Sequence, residues 1–318
     1  MNKIIEKILL GKEIFDITKE EALTLYEADI DELLFTASTV RKRHKGTKIK
    51  LCSIINAKSG HCSEDCKFCA QSSFSKTGVA VYPLKSPETI IDCAKNAFNK
   101  KAGCFGIVSS GNYLNDKEIE TLCKAFKENS NVSKISVSIG RLSQDILVKL
   151  RRAGINKIHH NLETSERFFP HICTTHTFTE RVETLKKAKN LGFKICSGGI
   201  FGIGENRQDR IDLAFALKEI AVDSVPMNFL IPIKGTPLEN APEITPDEIL
   251  KTIAVFRIIL QKQDIMICGG REANLRDLQS MIFQAGANGM MSGGYLTAPG
   301  RDMETDKKMI ADLGLEIE

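Results

Sequence analysis

"KLCSIINAKSGHCSEDCKFCAQSS" covers residues 50–73, and its order of parts decides the fold. The first six residues, "KLCSII" (50–55), form a short β-rich run that mixes apolar and small polar side chains. It feeds a glycine-containing loop with cysteines at 62, 66 and 69, so the loop follows a strand. Similar runs recur at "CFGIVS" (104–109), "KISVSI" (134–139), "KIHHNL" (157–162) and "FKICSGG" (193–199). Three more follow at "SVPMNFL" (224–230), "IMICGG" (265–270) and "NGMMSGG" (288–294). Helical patterns with start signals separate them. Ser86-Pro87-Glu88 places a cap before a proline at the first helical position, and Thr18–Glu21 and Thr245–Glu248 read as capping boxes. Eight strands alternating with helices predict a parallel sheet with right-handed crossovers. Eight such units favour a (β/α)8 TIM-type barrel over an open sheet, with function on the loops after the strands. The start, "MNKIIEKILLGKEIF", reads as an amphipathic helix. Residues 1–318 are therefore expected to be one barrel domain with a helical N-terminal extension over about 1–48.

Composition excludes several classes. The 318 residues are 42% apolar and 26% charged, enough for a full core. A net charge of +4 without a dense basic run argues against a nucleic-acid surface. No window approaches eighteen uninterrupted apolar residues, so no membrane span is expected. Lys3, Glu6 and Lys7 break the apolar start, so a signal peptide is not expected. A cytoplasmic protein follows as the expectation. In that compartment the ten cysteines are not expected to form a disulfide framework.

Cys62, Cys66 and Cys69 sit at spacings of four and three. Soft thiolates select zinc, copper(I) or iron–sulfur clusters. A structural zinc site wants a closed set of four ligands, and no second CxxC exists in the chain. A 4Fe–4S cluster on three cysteines leaves one iron open to a ligand that is not protein. CxxxCxφC, with Phe68 as the aromatic φ, resembles the signature of the radical S-adenosylmethionine (SAM) superfamily. That resemblance implies a cluster whose open iron chelates the amino and carboxylate groups of SAM. It further implies reductive cleavage to a 5′-deoxyadenosyl radical, and Phe68 near the adenine.

Further stretches resemble the biotin synthases from about residue 50 to 314. They are "HHNLETSERFF", "TFTERVETLKKAKNLGFKICSGGIFGIGE", "DSVPMNFLIPIKGTPL" and "GGREANL", besides the cysteine loop. In "HHNLET", strand alternation puts Asn161 and Glu163 on one side, where an amide beside a carboxylate suits a ureido ring next to ribose hydroxyls. A turn asparagine and a solvated glutamate are the plainer alternative. The resemblance implies that Glu163 holds the SAM ribose, that Asn161 bridges SAM and substrate, and that Asn228 is a second amide on the ureido group. It implies that Arg181 pairs with the SAM carboxylate; a helix-surface arginine is the alternative. It also implies that "GGIFGIGE", with Gly198, Ile200, Gly202 and Glu205, lies against the adenine. Ser109 and Ser110 would lie near the methionine end of SAM, and Thr297 and Ala298 near the substrate carboxylate. Family members often carry Asp where this chain has Glu163.

The pattern also breaks. Biotin synthases usually hold a 2Fe–2S cluster in the barrel on three cysteines and an arginine. Only Cys196 matches; the other positions are Gly106, Ser136 and Met266. Yet Cys104 and Cys268 lie one pleat from two of the lost ligands, and Cys52 is on the first strand. Buried cysteine is also an ordinary small hydrophobe. The expectation is an auxiliary iron–sulfur cluster relocated to Cys52, Cys104, Cys196 and Cys268, of a 4Fe type with an extra sulfide in preference to 2Fe–2S. Cys93 and Cys123 fall in helical patterns and read as core; Cys173 has no assigned place.

By resemblance, the reaction is radical sulfur insertion that converts dethiobiotin to biotin, with sulfur drawn from the auxiliary cluster. A flavodoxin or ferredoxin donor and a homodimer are implied in the same way. The rivals are a hydrogenase-cofactor or methylornithine-type radical SAM enzyme, and a non-catalytic metal-stabilised or electron-carrier protein.

Overall fold

The computed structural model describes residues 2–11, 15–127, 132–297 and 300–318. Eight parallel strands close on themselves: β1 (Lys48–Lys58), β2 (Cys104–Ser109), β3 (Ile135–Ser138), β4 (Lys157–His159), β5 (Lys194–Cys196), β7 (Ser224–Phe229), β8 (Asp264–Ile267) and β9 (Gly289–Met291). Closure is the β1–β9 pairing, with Lys50 opposite Gly289 and Cys52 opposite Met291. Two short strands lie off this ring: β6 (Gly199–Phe201) pairs with β7, and β10 (Glu316–Ile317) pairs with the start of β1. The eight-stranded barrel is the one expected from the alternation.

Helices cover the outside, and their starts follow local chemistry. Ser86 accepts from the Thr89 N–H ahead of Pro87 at the head of α4 (Pro87–Asn99). Thr18 and Glu21 complete a capping box on α2 (Lys19–Thr24). The box expected at Thr245 is only half made. Thr245 caps α9 (Pro246–Leu260), but the Glu248 carboxylate is taken by Arg207 and Arg210. Before the barrel run α1 (Lys3–Leu10), α2 and α3 (Ile30–Lys45). α3 packs on α9, which is why α9 is buried along Ile249–Leu260 instead of showing one polar face. Among the described residues no helix is long and apolar enough to cross a membrane.

The strand expected over 193–199 is interrupted. Gly198 gives its N–H to Asn161 Oδ1 at 3.2 Å, and its carbonyl accepts from the Leu162 and Glu163 N–H groups. The backbone there serves the end of β4 instead of the ladder, and pairing resumes at β6.

Candidate active site

One cavity of about 1120 Å³ occupies the barrel and opens at the C-terminal ends of the strands. Cys62, Cys66, Phe68, Cys69, Ser109, Ser110, Asn161, Glu163, Arg181, Ile200 and Asn228 all line it, as do Cys52, Cys104, Cys196 and Cys268. Thr297 reaches it, and Ala298 lies outside the described residues. Gly198 is not on its wall. A Cβ there would sit 1.9 Å from the Pro226 carbonyl oxygen, so glycine serves close backbone packing. Glu205 also turns inward on its own loop, accepting from Gly202 N and Ile203 N and pairing with Arg210.

The three-cysteine loop is folded by its own backbone. Cys62 N donates to Gln71 O (3.0 Å), Ser73 N to Cys62 O (2.8 Å) and Cys69 N to Cys66 O (2.9 Å). Ser110, expected at the cofactor, donates its hydroxyl to Gly60 O at 2.7 Å and props this loop. Burial pushes the Cys69 thiol up to about 11, and a hydrogen bond with Cys173 together with burial raises Cys66. These free thiols are half-buried and line the cavity, which suits ligands to a soft metal centre. Ser109 Oγ and Asn56 Oδ1 are buried on the same wall without a partner among the described residues. Orphaned polar atoms on a large cavity fit a polar ligand such as SAM.

Asn161 and Glu163 do meet, but not by strand alternation. β4 stops at His159, and Glu163 sits in the left-handed region at φ 70°. That turn brings Asn161 Nδ2 to Glu163 Oε2 at 3.2 Å. Burial pushes the Glu163 carboxyl up, against the pull of Arg181, whose Nη1 stands 3.8 Å from it. Asn161 Oδ1 accepts from Gly198 N. Asn228 Oδ1 accepts from Gly269 N (3.0 Å) and from the Tyr295 hydroxyl (2.8 Å), while its Nδ2 donates to Gly199 O (3.2 Å). Both amides are thus fixed in orientation, each with one N–H that has no partner among the described residues.

Deeper in the barrel, Cys52 and Cys104 stand opposite each other on β1 and β2, with Cα atoms 4.8 Å apart, and are joined as a disulfide. The sequence placed both among the auxiliary-cluster ligands; here they are paired with each other instead. Cross-strand neighbours on one face lie within bridging range, so metal ligation by this pair requires its reduction. Cys196 and Cys268 are free and buried. Burial acts to raise Cys196, but His159 and Lys157 outweigh it and bring the thiol down to about 7. Burial and the neighbouring Cys196 raise Cys268. At Gly106 a Cβ would come 2.9 Å from Ile54 Cγ2, so a cysteine there would require the Ile54 side chain to shift. Gly106, Ser136 and Met266 stand where three of the four usual 2Fe–2S ligands would be.

No motif or spacing in the sequence singles out Lys157 and His159 in "KIHHNL" or Tyr295 in "GGYLTAPG". Cys173 also goes unplaced by sequence; the residue is buried with Sγ 3.8 Å from Cys66 Sγ. No spacing rule links 173 to 66, so only the fold could join them.

Residues 57–217 match the Radical SAM superfamily, and residues 226–316 match the Biotin and Thiamin Synthesis associated domain. The chain is 61% identical over 318 residues to the biotin synthase of Endomicrobium trichonymphae, covering 100% of this chain and 98% of that protein. It is 49% identical to the biotin synthase of Geobacter sulfurreducens, over 99% of this chain and 96% of the relative. Among solved structures, methylornithine synthase aligns with a TM-score of 0.83 at 20% identity, covering 99% of this chain and 97% of that chain. The FeFe-hydrogenase maturase HydG from Carboxydothermus hydrogenoformans aligns at 0.84 and 18%, covering 99% of this chain and 78% of that chain. At those identities the likeness shows the fold alone. The full-length relatives, the domain matches and the three-cysteine loop at the mouth of a closed barrel together make this chain a radical SAM enzyme of the biotin synthase family.

Proposed function

We propose that the protein inserts sulfur into dethiobiotin to form biotin, with the whole reaction held in the one barrel cavity. The observation that carries this reading is that the three loop thiols, the two oriented amides and the strand cysteines all line that single cavity. When bound, the 4Fe–4S cluster with SAM supplies a radical able to take hydrogen from an unactivated carbon, and an auxiliary cluster supplies the sulfur.

The chain's own part is binding, orientation and exclusion of water. Cys62, Cys66 and Cys69 would hold the SAM cluster. Arg181 would grip the SAM carboxylate and Glu163 the ribose hydroxyls, with Ile200 and Phe68 against the adenine and the orphan Ser109 hydroxyl toward the methionine end. The spare N–H groups of Asn161 and Asn228 complement a ureido carbonyl, whose oxygen accepts two hydrogen bonds. Cys196 and Cys268, with Cys52 and Cys104 once reduced, would hold the auxiliary cluster. A four-thiolate set suits a 4Fe type with an extra sulfide better than 2Fe–2S. The helices before β1 form an extension to one barrel unit over 1–318. A flavodoxin or ferredoxin donor, a homodimer and a cytoplasmic setting complete the reading.

The test uses anaerobically purified, reconstituted enzyme with dethiobiotin, SAM and a low-potential reductant. Biotin and 5′-deoxyadenosine should both form. Replacing Cys52, Cys196 and Cys268 together with Ala should remove one cluster's iron and sulfide and stop biotin formation while SAM cleavage persists. Full iron and sulfide in that variant would sink the auxiliary-site assignment. No biotin from the unaltered protein would sink the substrate.

A further inference from the structure

Two acidic residues of the cysteine loop, Glu64 on the cavity wall and Asp65 beside it, bind the segment "CTTH" (173–176). Asp65 accepts from Thr174 N (2.8 Å), Thr175 N (3.2 Å) and the Cys173 thiol (3.1 Å). Glu64 Oε2 accepts from the Thr175 hydroxyl at 2.7 Å and from His176 Nδ1. Immediately after, Thr177 caps α7 (Phe178–Asn190) in a box with Glu180, and the first turn of that helix carries Arg181.

His176 closes the chain of contacts. Its Nε2 receives the Arg181 Nε–H at 2.9 Å. Arginine is always a donor, so Nε2 keeps the lone pair and Nδ1 carries the proton that goes to Glu64. Arg181 Nη1 is spent on Asn161 O at 2.8 Å. With Nε and Nη1 pinned, Nη2 is the nitrogen without a hydrogen bond among the described residues, in a side chain that lines the cavity. The guanidinium also lies over the Phe169 ring, which packs T-shaped against His176. Glu64 and His176 are both buried. The ligand atoms of Cys66, Cys173 and His176 lie within 4.8 Å of one another, and both ring nitrogens of His176 already have partners, Nε2 in Arg181 and Nδ1 in Glu64.

We propose that Glu64 and His176 are positioning residues for SAM, holding Arg181 in place through the Glu64–His176–Arg181 hydrogen-bond chain and so tying the SAM carboxylate grip to the folded cluster loop. The proposal rests on the reading of Arg181 as the SAM carboxylate partner.

The test titrates SAM into reconstituted, reduced enzyme and follows the change in the cluster's electron paramagnetic resonance signal, scored per loaded cluster. Iron and sulfide are measured in parallel. His176→Ala should weaken SAM binding and raise KM for SAM by about tenfold or more, the loss of a charge-assisted hydrogen bond. Its kcat at saturating SAM should stay within about threefold, with iron and sulfide unchanged. His176→Gln, whose side-chain carbonyl can still accept from Arg181, should recover part of the affinity. The double variant with Arg181→Lys should bind no more weakly than Arg181→Lys alone. Unchanged SAM affinity in His176→Ala, or a loss that only tracks lost iron, overturns the proposal. If Arg181→Lys weakens SAM binding and His176→Ala does not, only the positioning role fails. If Arg181→Lys also leaves affinity unchanged, the reading of Arg181 fails with it.

Discussion

Tyr295 gives its hydroxyl proton to Asn228 Oδ1, and Gly269 N supplies the second donor to the same oxygen. The amide therefore cannot flip to present its oxygen to a ligand without breaking both bonds. Tyr295→Phe removes one of them while keeping the ring that packs beside Gly269. KM for dethiobiotin should rise about fivefold, the worth of one hydrogen bond, while SAM affinity stays as it was. Steady-state assays varying each substrate in turn check this. Equal effects on both substrates would mean that Tyr295 supports the cavity as a whole and not Asn228. Tyr295 carries no spacing signal in the sequence, whereas Asn161 and Asn228 stood out through the stretches around them.

At the level of elements, the break between β5 and β6 does more for the site than either strand. Gly198 lets the chain pass within packing distance of Pro226 and frees backbone groups for Asn161, Leu162 and Glu163. A glycine-rich strand end is visible in "CSGGIFG", but which partner crowds it is not. Gly198→Ala would force a Cβ against the Pro226 carbonyl oxygen, at 1.9 Å with the present backbone. The backbone must move, so the β4 end loses its partners. The variant is expected to fold poorly or, if recovered, to show lost SAM binding, read by thermal melting and SAM titration. A variant that melts and binds as the parent does would contradict this. Half of the box expected at Thr245 failed for a similar reason. A carboxylate three residues past a cap is legible locally, but Arg207 and Arg210 compete for it from α8 (Arg207–Ile220).

For the whole molecule, barrel closure brings β1 and β9 together, and Asp264 stands at the seam. It pairs with Lys45 of α3 (2.8 Å) and Lys50 of β1 (2.6 Å) and accepts from Asn288 ahead of β9 (2.8 Å). Burial would raise this carboxyl, but the two lysines hold it down at about 2 against an ordinary 3.8. A carboxylate depressed on folding adds stability above its unfolded pKa, about pH 4, and loses it as pH falls toward the folded value. Asp264→Asn should cost about 2 kcal/mol at pH 7, with the gap to the parent narrowing from pH 5 to pH 3. Denaturation midpoints across that range test it; a gap that stays constant with pH would refute the ionic origin. By itself, the sequence determined the strand–helix alternation, the cluster loop and the family, because periodicity and short-range spacing are written in neighbouring residues. Only tertiary structure decided that Cys52 meets Cys104, that Cys173 and His176 back the cluster loop, and that Tyr295 orients Asn228. Those contacts join residues 52 to 112 positions apart, and chain closure alone determines which side chains face each other.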